Sequence, residues 1–139
     1  ASDAQHIASE LSGRFYKDRP PLYAEALHVN SSYMTAVAND YGYEETYARM
    51  IEASGRKGDV LVGISTSGNS PNVVKAMLNA KEIGMVTVGF TGSKGGKMKE
   101  ICDIMIQVPS DDTPRIQEVH ILVGHIICQL IEEEMFPNA

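Results

Sequence analysis

Four hydroxyl side chains lie within six consecutive residues near the middle of the chain. Ser65, Thr66, Ser67 and Ser70 follow an apolar, β-branched segment, and Pro71 then opens a predicted helix with Ser70 in the N-cap position. Hydroxyls and free backbone N–H groups at a helix N-terminus favour an anion such as phosphate. The same residue types also fill ordinary strand-to-helix turns. Because the loop has no lysine and no G-x-x-x-x-G-K-[ST] pattern, we predict a phosphosugar rather than a nucleoside triphosphate with magnesium.

Two predicted helices carry histidine and carboxylate side chains that are suited to proton transfer. His6 and Glu10 are four residues apart and share one helix face, while the apolar last helix carries His120 and His125. A glutamate paired with a histidine can remove and return a proton, and the same side chains are ligands for a zinc-type ion. A buried histidine is also common as hydrogen-bonded structure, so the sequence leaves these roles open.

Gln117 is a further polar residue of the last predicted helix. It lies about 12 Å along the helix axis and roughly 80° around it from His125. The two side chains can therefore share a ligand only by long reach, or by serving sites in different subunits.

Composition narrows the class of protein. The 139 residues form one predicted domain, 1–139, and the net charge of -6 argues against nucleic acid as a partner. No apolar stretch approaches the ~20 residues that span a membrane. The two cysteines, Cys102 and Cys128, follow no metal or redox spacing and are typical of buried free thiols. We therefore expect a protein of the reducing cytoplasm.

The pattern of apolar residues predicts alternating strands and helices. Strands separated by single helices form βαβ units with a parallel sheet, and ligands bind at the carboxyl ends of such strands, where 65–70 and 91–96 lie. The predicted strands are 26–29, 59–64, 85–90 and 103–108, and the predicted helices are 2–16, 33–39, 44–54, 71–83, 97–101 and 115–135.

Several motifs resemble those of the phosphoheptose isomerases, which have the sugar isomerase (SIS) fold. The resemblance covers essentially the whole chain, through DAQHIASELSGRF, AVANDYGYEETYARMIEASGRKGDVLVGISTSGNSPNVVKAM, GFTGSKGGKM and TPRIQEVHILVGHIICQLIEEEMF. It implies an α/β fold, a three-layer αβα sandwich with a central parallel sheet of flavodoxin-like type. It also implies that the family's leading helix, first strand and GNGGS loop precede Ala1, so that the N-terminal part is missing from this chain.

The resemblance implies an aldose–ketose isomerase. Family members convert sedoheptulose 7-phosphate to D-glycero-D-manno-heptose 7-phosphate, for the heptose of lipopolysaccharide core or related glycans. The reaction runs through an enediol, and the matching proton carriers are Glu10 and His125. Family members can hold zinc, one ion per subunit, and the matching ligands are His6, Glu10, Gln117 and His125.

The remaining site residues also follow from the resemblance. It implies a phosphate cradle and substrate contacts from Asn39, Asp40 and Arg14. It also implies a homotetramer in which each active site lies where subunits meet. Some relatives have an aspartate where this chain has Pro114, so a contact from that aspartate does not carry over. The cradle residues are Ser65, Thr66, Ser67 and Ser70.

Two other functions share this fold. The chain is also similar to the DnaA initiator-associating protein, a non-catalytic SIS-domain regulator of replication. That regulator lacks the acid of the first helix and the second histidine of the last, whereas this chain has both, as Glu10 and His125. A sugar-phosphate-sensing SIS domain normally accompanies a DNA-binding or amidotransferase domain, and neither is visible. These differences favour the enzyme.

Overall fold

The computed structural model describes all of residues 1–139 and contains six α-helices and three strands. A 3₁₀ turn, Tyr43–Glu45, precedes the third helix. The helices are α1 Ser2–Ser12, α2 Ser31–Tyr41, α3 Thr46–Ser54, α4 Pro71–Ile83, α5 Met98–Ile101 and α6 Thr113–Met135, and the strands are β1 Val60–Ile64, β2 Val86–Thr91 and β3 Ile104–Gln107.

The three strands form one parallel sheet in the order β1-β2-β3. Val62 pairs with Val88, and Val88 in turn pairs with Ile104. α4 connects β1 to β2 and is followed by Gly84, whose φ of +89° lets the chain turn back into β2. The predicted α/β class with a central parallel sheet is therefore confirmed.

One face of the sheet carries most of the core. Side chains of this face pack against α3, α4 and α5 in a continuous apolar cluster. Leu61 of β1 and Met77 of α4 are buried there, and Gly63 leaves room for Met77, whose Cε would lie 2.1 Å from an added Cβ. The remaining buried members are Ile51, Ala76, Ala80, Met85 and Met98.

The opposite face is largely open within this chain. Val60, Val62, Val86 and Ile104 are 59%, 41%, 40% and 52% exposed. Parallel sheets are normally covered on both faces. The apolar residues of this face are therefore suited to packing against another polypeptide surface.

α6 meets the sheet near the carboxyl end of β2. The buried imidazole of His120 contacts the carbonyl oxygen of Thr91 through Nε2 at 3.0 Å, and its ring lies edge-on to Phe90. Nδ1 of His120 has no hydrogen-bond partner. This histidine therefore ties α6 to the sheet.

Two predicted elements differ from the structure. The first helix ends at Ser12 rather than continuing to residue 16, because Gly13 leaves helical geometry and Arg19 takes the carbonyls of the last turn. The predicted strand at 26–29 is a turn, in which the N–H of Val29 donates to the carbonyl of Ala26. A short apolar stretch needs a neighbouring strand to form a ladder, and none lies beside it.

Membrane crossing requires a long apolar helix, and none of the helices meets that requirement.

Candidate active site

His6, Glu10 and His125 converge on one point, although α1 and α6 lie at opposite ends of the chain. Nε2 of His6 is 3.1 Å from Oε1 of Glu10 and 3.3 Å from Nε2 of His125. One potential ligand atom from each residue lies within 4.8 Å of the others. The two imidazole rings meet edge to face, with centroids 4.8 Å apart. We refer to these three residues as the histidine–glutamate cluster.

Hydrogen bonding alone does not satisfy the cluster. Nε2 of His6 takes part in both short contacts, yet an imidazole nitrogen carries one proton or one lone pair, not both. A divalent metal ion accepts a lone pair from every member at once. Because the side chain of His6 is 47% exposed, the cluster is open to solvent. The donor set and its convergence therefore fit a metal ion.

Phe15 flanks the cluster and was not predicted from the sequence. Its ring stacks on that of His125, with centroids 5.5 Å apart and planes at 22°. Phe15 lies in the loop after α1, so its contact with the imidazole depends on how that loop is held. A stacked ring restricts the rotation of His125 and shields one of its faces from water.

Glu132 holds this loop and was also missed. Its carboxylate, 1% exposed, accepts the backbone N–H groups of Phe15, Tyr16 and Lys17 at 2.8–3.0 Å. Burial by itself raises the pKa of Glu132, but these N–H donors and Arg19 outweigh it and hold the pKa below its ordinary value. The sequence contains one signal for this role, because Glu132 follows His125 by two helical turns and therefore lies on the same side of α6.

Residues 65–70, which we refer to as the hydroxyl loop, form one wall of a cavity of about 320 Å³. Ser65, Thr66 and Ser70 line it, and Oγ of Ser70 lies 2.8 Å from Oγ of Ser65. Ser70 stands in the predicted N-cap position of α4, but its side chain makes no capping bond and faces Ser65 instead. The other lining residues are Ala1, Ser2, Asp3, Ile64 and Gln117.

A second glycine-rich turn holds the hydroxyl loop in place. Gly68 has φ +67°, and its carbonyl accepts the N–H of Met98. The side-chain oxygen of Asn69 accepts the N–H of Lys97 at 2.9 Å. A Cβ on Gly68 would lie 2.0 Å from the carbonyl oxygen of Gly95, so only glycine fits there. The two turns at the carboxyl ends of β1 and β2 therefore pack directly together, as the topology predicts.

Two other predicted site residues, Gln117 and Ser67, lie away from the centre to which each was assigned. Gln117 lines the cavity but makes no hydrogen bond with the histidine–glutamate cluster. Ser67 is exposed, and its Oγ accepts the N–H of Asn69 instead of facing the cavity. Within one chain, the predicted metal ligands therefore divide between the cluster and the cavity.

Three predicted substrate contacts are exposed and line no part of the cavity. Arg14 reaches only the carbonyl of Phe15, at 3.5 Å. Asn39 and Asp40 stand near the C-terminus of α2, where the amide of Asn39 donates to the carboxylate of Asp40. The structure of one chain does not bring these three residues to the cavity or the cluster.

The two cysteines are free thiols. Burial raises the pKa of both Cys102 and Cys128, which makes them poor nucleophiles. Neither cysteine lines the cavity or belongs to the histidine–glutamate cluster.

Comparison with known proteins gives consistent matches. The family model for the SIS domain matches residues 1–92. A phosphoheptose isomerase of Aneurinibacillus thermoaerophilus is 56% identical over 138 residues, which cover 99% of this chain and 70% of that protein. Phosphoheptose isomerase 2 of Campylobacter jejuni is 55% identical, over 98% of this chain and 68% of that protein.

Solved structures of related proteins agree with these sequence matches. The phosphoheptose isomerase of Francisella tularensis superposes with a TM-score of 0.91 at 38% identity, over 95% of this chain and 71% of that one. Phosphoheptose isomerase GmhA of Neisseria gonorrhoeae gives a TM-score of 0.89 at 44% identity, over 95% and 70%. With the cluster and the hydroxyl-lined cavity in place, these matches show that the chain belongs to the phosphoheptose isomerase family of SIS-domain proteins.

Proposed function

We propose that this chain catalyses the isomerisation of sedoheptulose 7-phosphate to D-glycero-D-manno-heptose 7-phosphate. The observation that carries the proposal is the convergence of His6, Glu10 and His125 beside a hydroxyl-lined cavity, in a member of the phosphoheptose isomerase family. Such a product supplies heptose for lipopolysaccharide core or related glycans. Nothing in the structure or in these relatives favours the non-catalytic regulator.

The cavity and the cluster suit the two ends of one substrate. Ser65, Thr66 and Ser70 offer hydroxyl donors to the phosphate near the N-terminus of α4. α1 runs from the cavity, at Ser2, past His6 and Glu10, which lie about 6 and 12 Å further along its axis. An open-chain heptose phosphate has the reach to extend from one to the other.

The proposed chemistry is two proton transfers through an enediol. Glu10 removes a proton from C1 of the ketose, the C1–C2 double bond forms, and the carbonyl oxygen O2 gains a proton from His125. The enediol then loses the proton on O1 to His125, C1 becomes the aldehyde carbon, and Glu10 returns a proton to C2. Both side chains end in their starting protonation states.

We propose a zinc ion at the cluster, with His6, Glu10, Gln117 and His125 as ligands. Ligand atoms about 2.0–2.1 Å from a tetrahedral zinc ion stand about 3.3–3.4 Å apart. Two of the three separations in the cluster, 3.1 and 3.3 Å, are close to that spacing, and all three lie within 4.8 Å. When bound, the metal would polarise the substrate oxygens. Since Gln117 lies at the cavity, its coordination requires a long reach or a second subunit.

We propose a homotetramer in which neighbouring subunits complete each site. Two observations support this proposal. α6 and the open face of the sheet present exposed apolar residues. Four polar residues that the resemblance assigns to the site are exposed and lie outside the cavity of their own chain, namely Arg14, Asn39, Asp40 and Ser67. A neighbouring subunit would give these polar residues a route to the substrate. We also propose that residues 1–139 form a single SIS domain and that the enzyme acts in the cytoplasm.

Turnover of sedoheptulose 7-phosphate in deuterated water tests the reaction. We expect the aldose phosphate to accumulate, with deuterium at C2 detected by NMR, because the proton that Glu10 removes from C1 exchanges with solvent before a proton is returned to C2. Absence of product from a folded, metal-replete protein would contradict the proposed activity. Product without deuterium would show that the hydrogen moves from C1 to C2 without exchange, either on a shielded base or by a hydride shift.

A further inference from the structure

A buried ion pair joins the loop after α1 to the last helix. Nε of Arg19 is 2.9 Å from Oε1 of Glu132, and the two side chains are 0% and 1% exposed. With the three backbone N–H groups that it accepts, each carboxylate oxygen of Glu132 has two donors. The carboxylate is therefore fully satisfied, and its position is determined by four separate bonds.

The other end of the Arg19 guanidinium caps α1. Nη2 donates to the carbonyl of Glu10 at 2.8 Å, and Nη1 donates to the carbonyl of Leu11 at 2.8 Å. These carbonyls belong to the last turn of a helix and have no partners within it. A cation is also favoured at a helix C-terminus. One guanidinium therefore binds the backbone of the residue that supplies the cluster's carboxylate.

Each end of this pair is thus connected to a member of the histidine–glutamate cluster. Glu132 follows His125 by two turns on α6, and it also holds the amide of Phe15, whose ring stacks on His125. Arg19 holds the end of α1 at Glu10. The pair connects the helix that carries His6 and Glu10 to the helix that carries His125.

Stability alone is a poor explanation for such a pair. Taking two charges out of water costs about as much as their attraction returns, and well-packed apolar residues often serve equally well. Apolar residues would not, however, bind two helix carbonyls and three loop amides at defined distances. The pair is therefore better suited to fixing geometry than to adding stability.

We propose that Arg19 and Glu132 are positioning residues that set the spacing of His6, Glu10 and His125. The inference rests on the proposed function of that cluster. Neither residue touches the substrate, so their effect passes through the ends of α1 and through Phe15. Because the phosphate cavity lies at the opposite end of α1, we expect them to act on turnover and metal affinity and to leave phosphate binding unaffected.

The test uses Glu132→Gln and Arg19→Lys in the full-length enzyme. The amide of the first variant turns a donor toward at least one loop N–H, and the amine of the second lacks the fork that reaches both helix carbonyls. We expect kcat to fall about 10–100-fold in each variant, with KM little changed. We also expect the dissociation constant for Co²⁺, added to metal-free protein and followed by its visible absorption, to rise about tenfold.

Two control variants separate positioning from general damage. Glu133→Gln makes the same chemical change one residue away, at an exposed side chain that bonds only to Gln129. Met77→Ala removes buried core volume on the far side of the sheet. We expect the first to match the parent, and the second to lower the melting temperature with normal Co²⁺ affinity and normal kcat at temperatures well below its transition.

Each outcome of these experiments either supports or overturns the positioning role of Arg19 and Glu132. Weakened Co²⁺ binding with altered absorption bands in Glu132→Gln or Arg19→Lys, but in neither control, would support the inference even if the parent enzyme turned over no phosphosugar. Parent-like kcat and Co²⁺ affinity in both variants would overturn it. Failure of both variants to fold would also overturn it, since the pair would then serve overall stability.

Discussion

At the scale of single residues, Glu10 combines the two proposed roles of the cluster, proton transfer and metal binding. Its carboxylate contacts the imidazole of His6, and its backbone carbonyl is held by Arg19. The side chain is 22% exposed, so a substrate can approach it, while its position on a helix limits its motion. A base needs both access and fixed geometry, because proton transfer occurs over a hydrogen-bond distance.

We predict that Glu10→Gln lowers kcat by about 10²–10⁴-fold, the usual contribution of a positioned acid or base. The amide keeps the size of the side chain but cannot take a proton from carbon. NMR of substrate turnover measures the rate, and thermal unfolding serves as the control, with a melting temperature near that of the parent expected. A variant with parental turnover would remove Glu10 from the proton-transfer role.

At the scale of elements, the site depends on two turns at the carboxyl edge of the sheet. The turn after β1 carries the hydroxyl groups, and the turn after β2 packs against it through Gly95 and Gly96. β3 is joined to β2 by more than its ladder, since the carboxylate of Asp103 accepts both the N–H and the hydroxyl of Thr87 at 2.9 Å. The contacts with Gly95 and Gly96 determine where the hydroxyl loop stands, whereas the bonds of Asp103 hold β3 to the amino end of β2.

Gly68→Ala and Gly58→Ala form a matched pair of substitutions. Both glycines have positive φ, +67° and +91°, but a Cβ meets a carbonyl at 2.0 Å in the first case and nothing within 4 Å in the second. We predict a loss of roughly 1–2 kcal/mol of unfolding free energy for Gly58→Ala and about 2–5 kcal/mol for Gly68→Ala. Urea unfolding measures both. Equal losses would show that the contact between the two turns has no energetic consequence.

The carboxylate of Asp103 predicts a pH dependence of stability. Backbone and hydroxyl hydrogen bonds from Thr87 hold the pKa of Asp103 below its usual value. Its stabilising effect is therefore complete above the ordinary pKa of about 3.9 and is lost as the pH falls through the lowered value. We predict that Asp103→Asn is less stable than the parent at pH 7 and that the difference shrinks at pH 3. Urea unfolding at the two pH values tests this, and a difference that grows at pH 3 would contradict it.

At the scale of the whole molecule, the chain exposes large apolar side chains in two areas. The open face of the sheet is one such area, and the second is a stripe on α6, where Leu122, Ile126 and Leu130 are 56%, 46% and 56% exposed. Contiguous exposed apolar patches commonly mark protein–protein interfaces. The opposite stripe of α6 is buried and includes His120 and Glu132.

We predict that Leu130→Asp shifts the proposed tetramer toward smaller species. A buried charge at a subunit contact is costly, whereas the same charge in water is not. Analytical ultracentrifugation measures the shift, and Leu78→Asp, on α4 at 45% exposure, is the matched control. An unchanged distribution for Leu130→Asp, or an equal shift for Leu78→Asp, would exclude the α6 stripe as the interface.

Much of this architecture could be predicted from local patterns. Pro71 and Gly84 mark the two ends of α4, because proline is tolerated in the first helical turn and glycine accepts positive φ. The parallel sheet followed from strands that alternate with single helices. The turn at 26–29 could not be predicted in this way, because whether an apolar stretch becomes a strand depends on a neighbour that local sequence does not specify.

By itself, the sequence determined the helix that carries His6 and Glu10 on one face, and the hydroxyl loop at the end of β1. Motif resemblance then selected His125 rather than His120 as the proton carrier. The structure gives the physical reason, because the imidazole of His120 is buried and contacts the carbonyl oxygen of Thr91. Only the tertiary structure showed that Arg19 and Glu132 meet, 113 residues apart in the chain. Helix periodicity acts over a few residues, whereas a buried ion pair depends on how distant elements pack, so no local pattern specifies it.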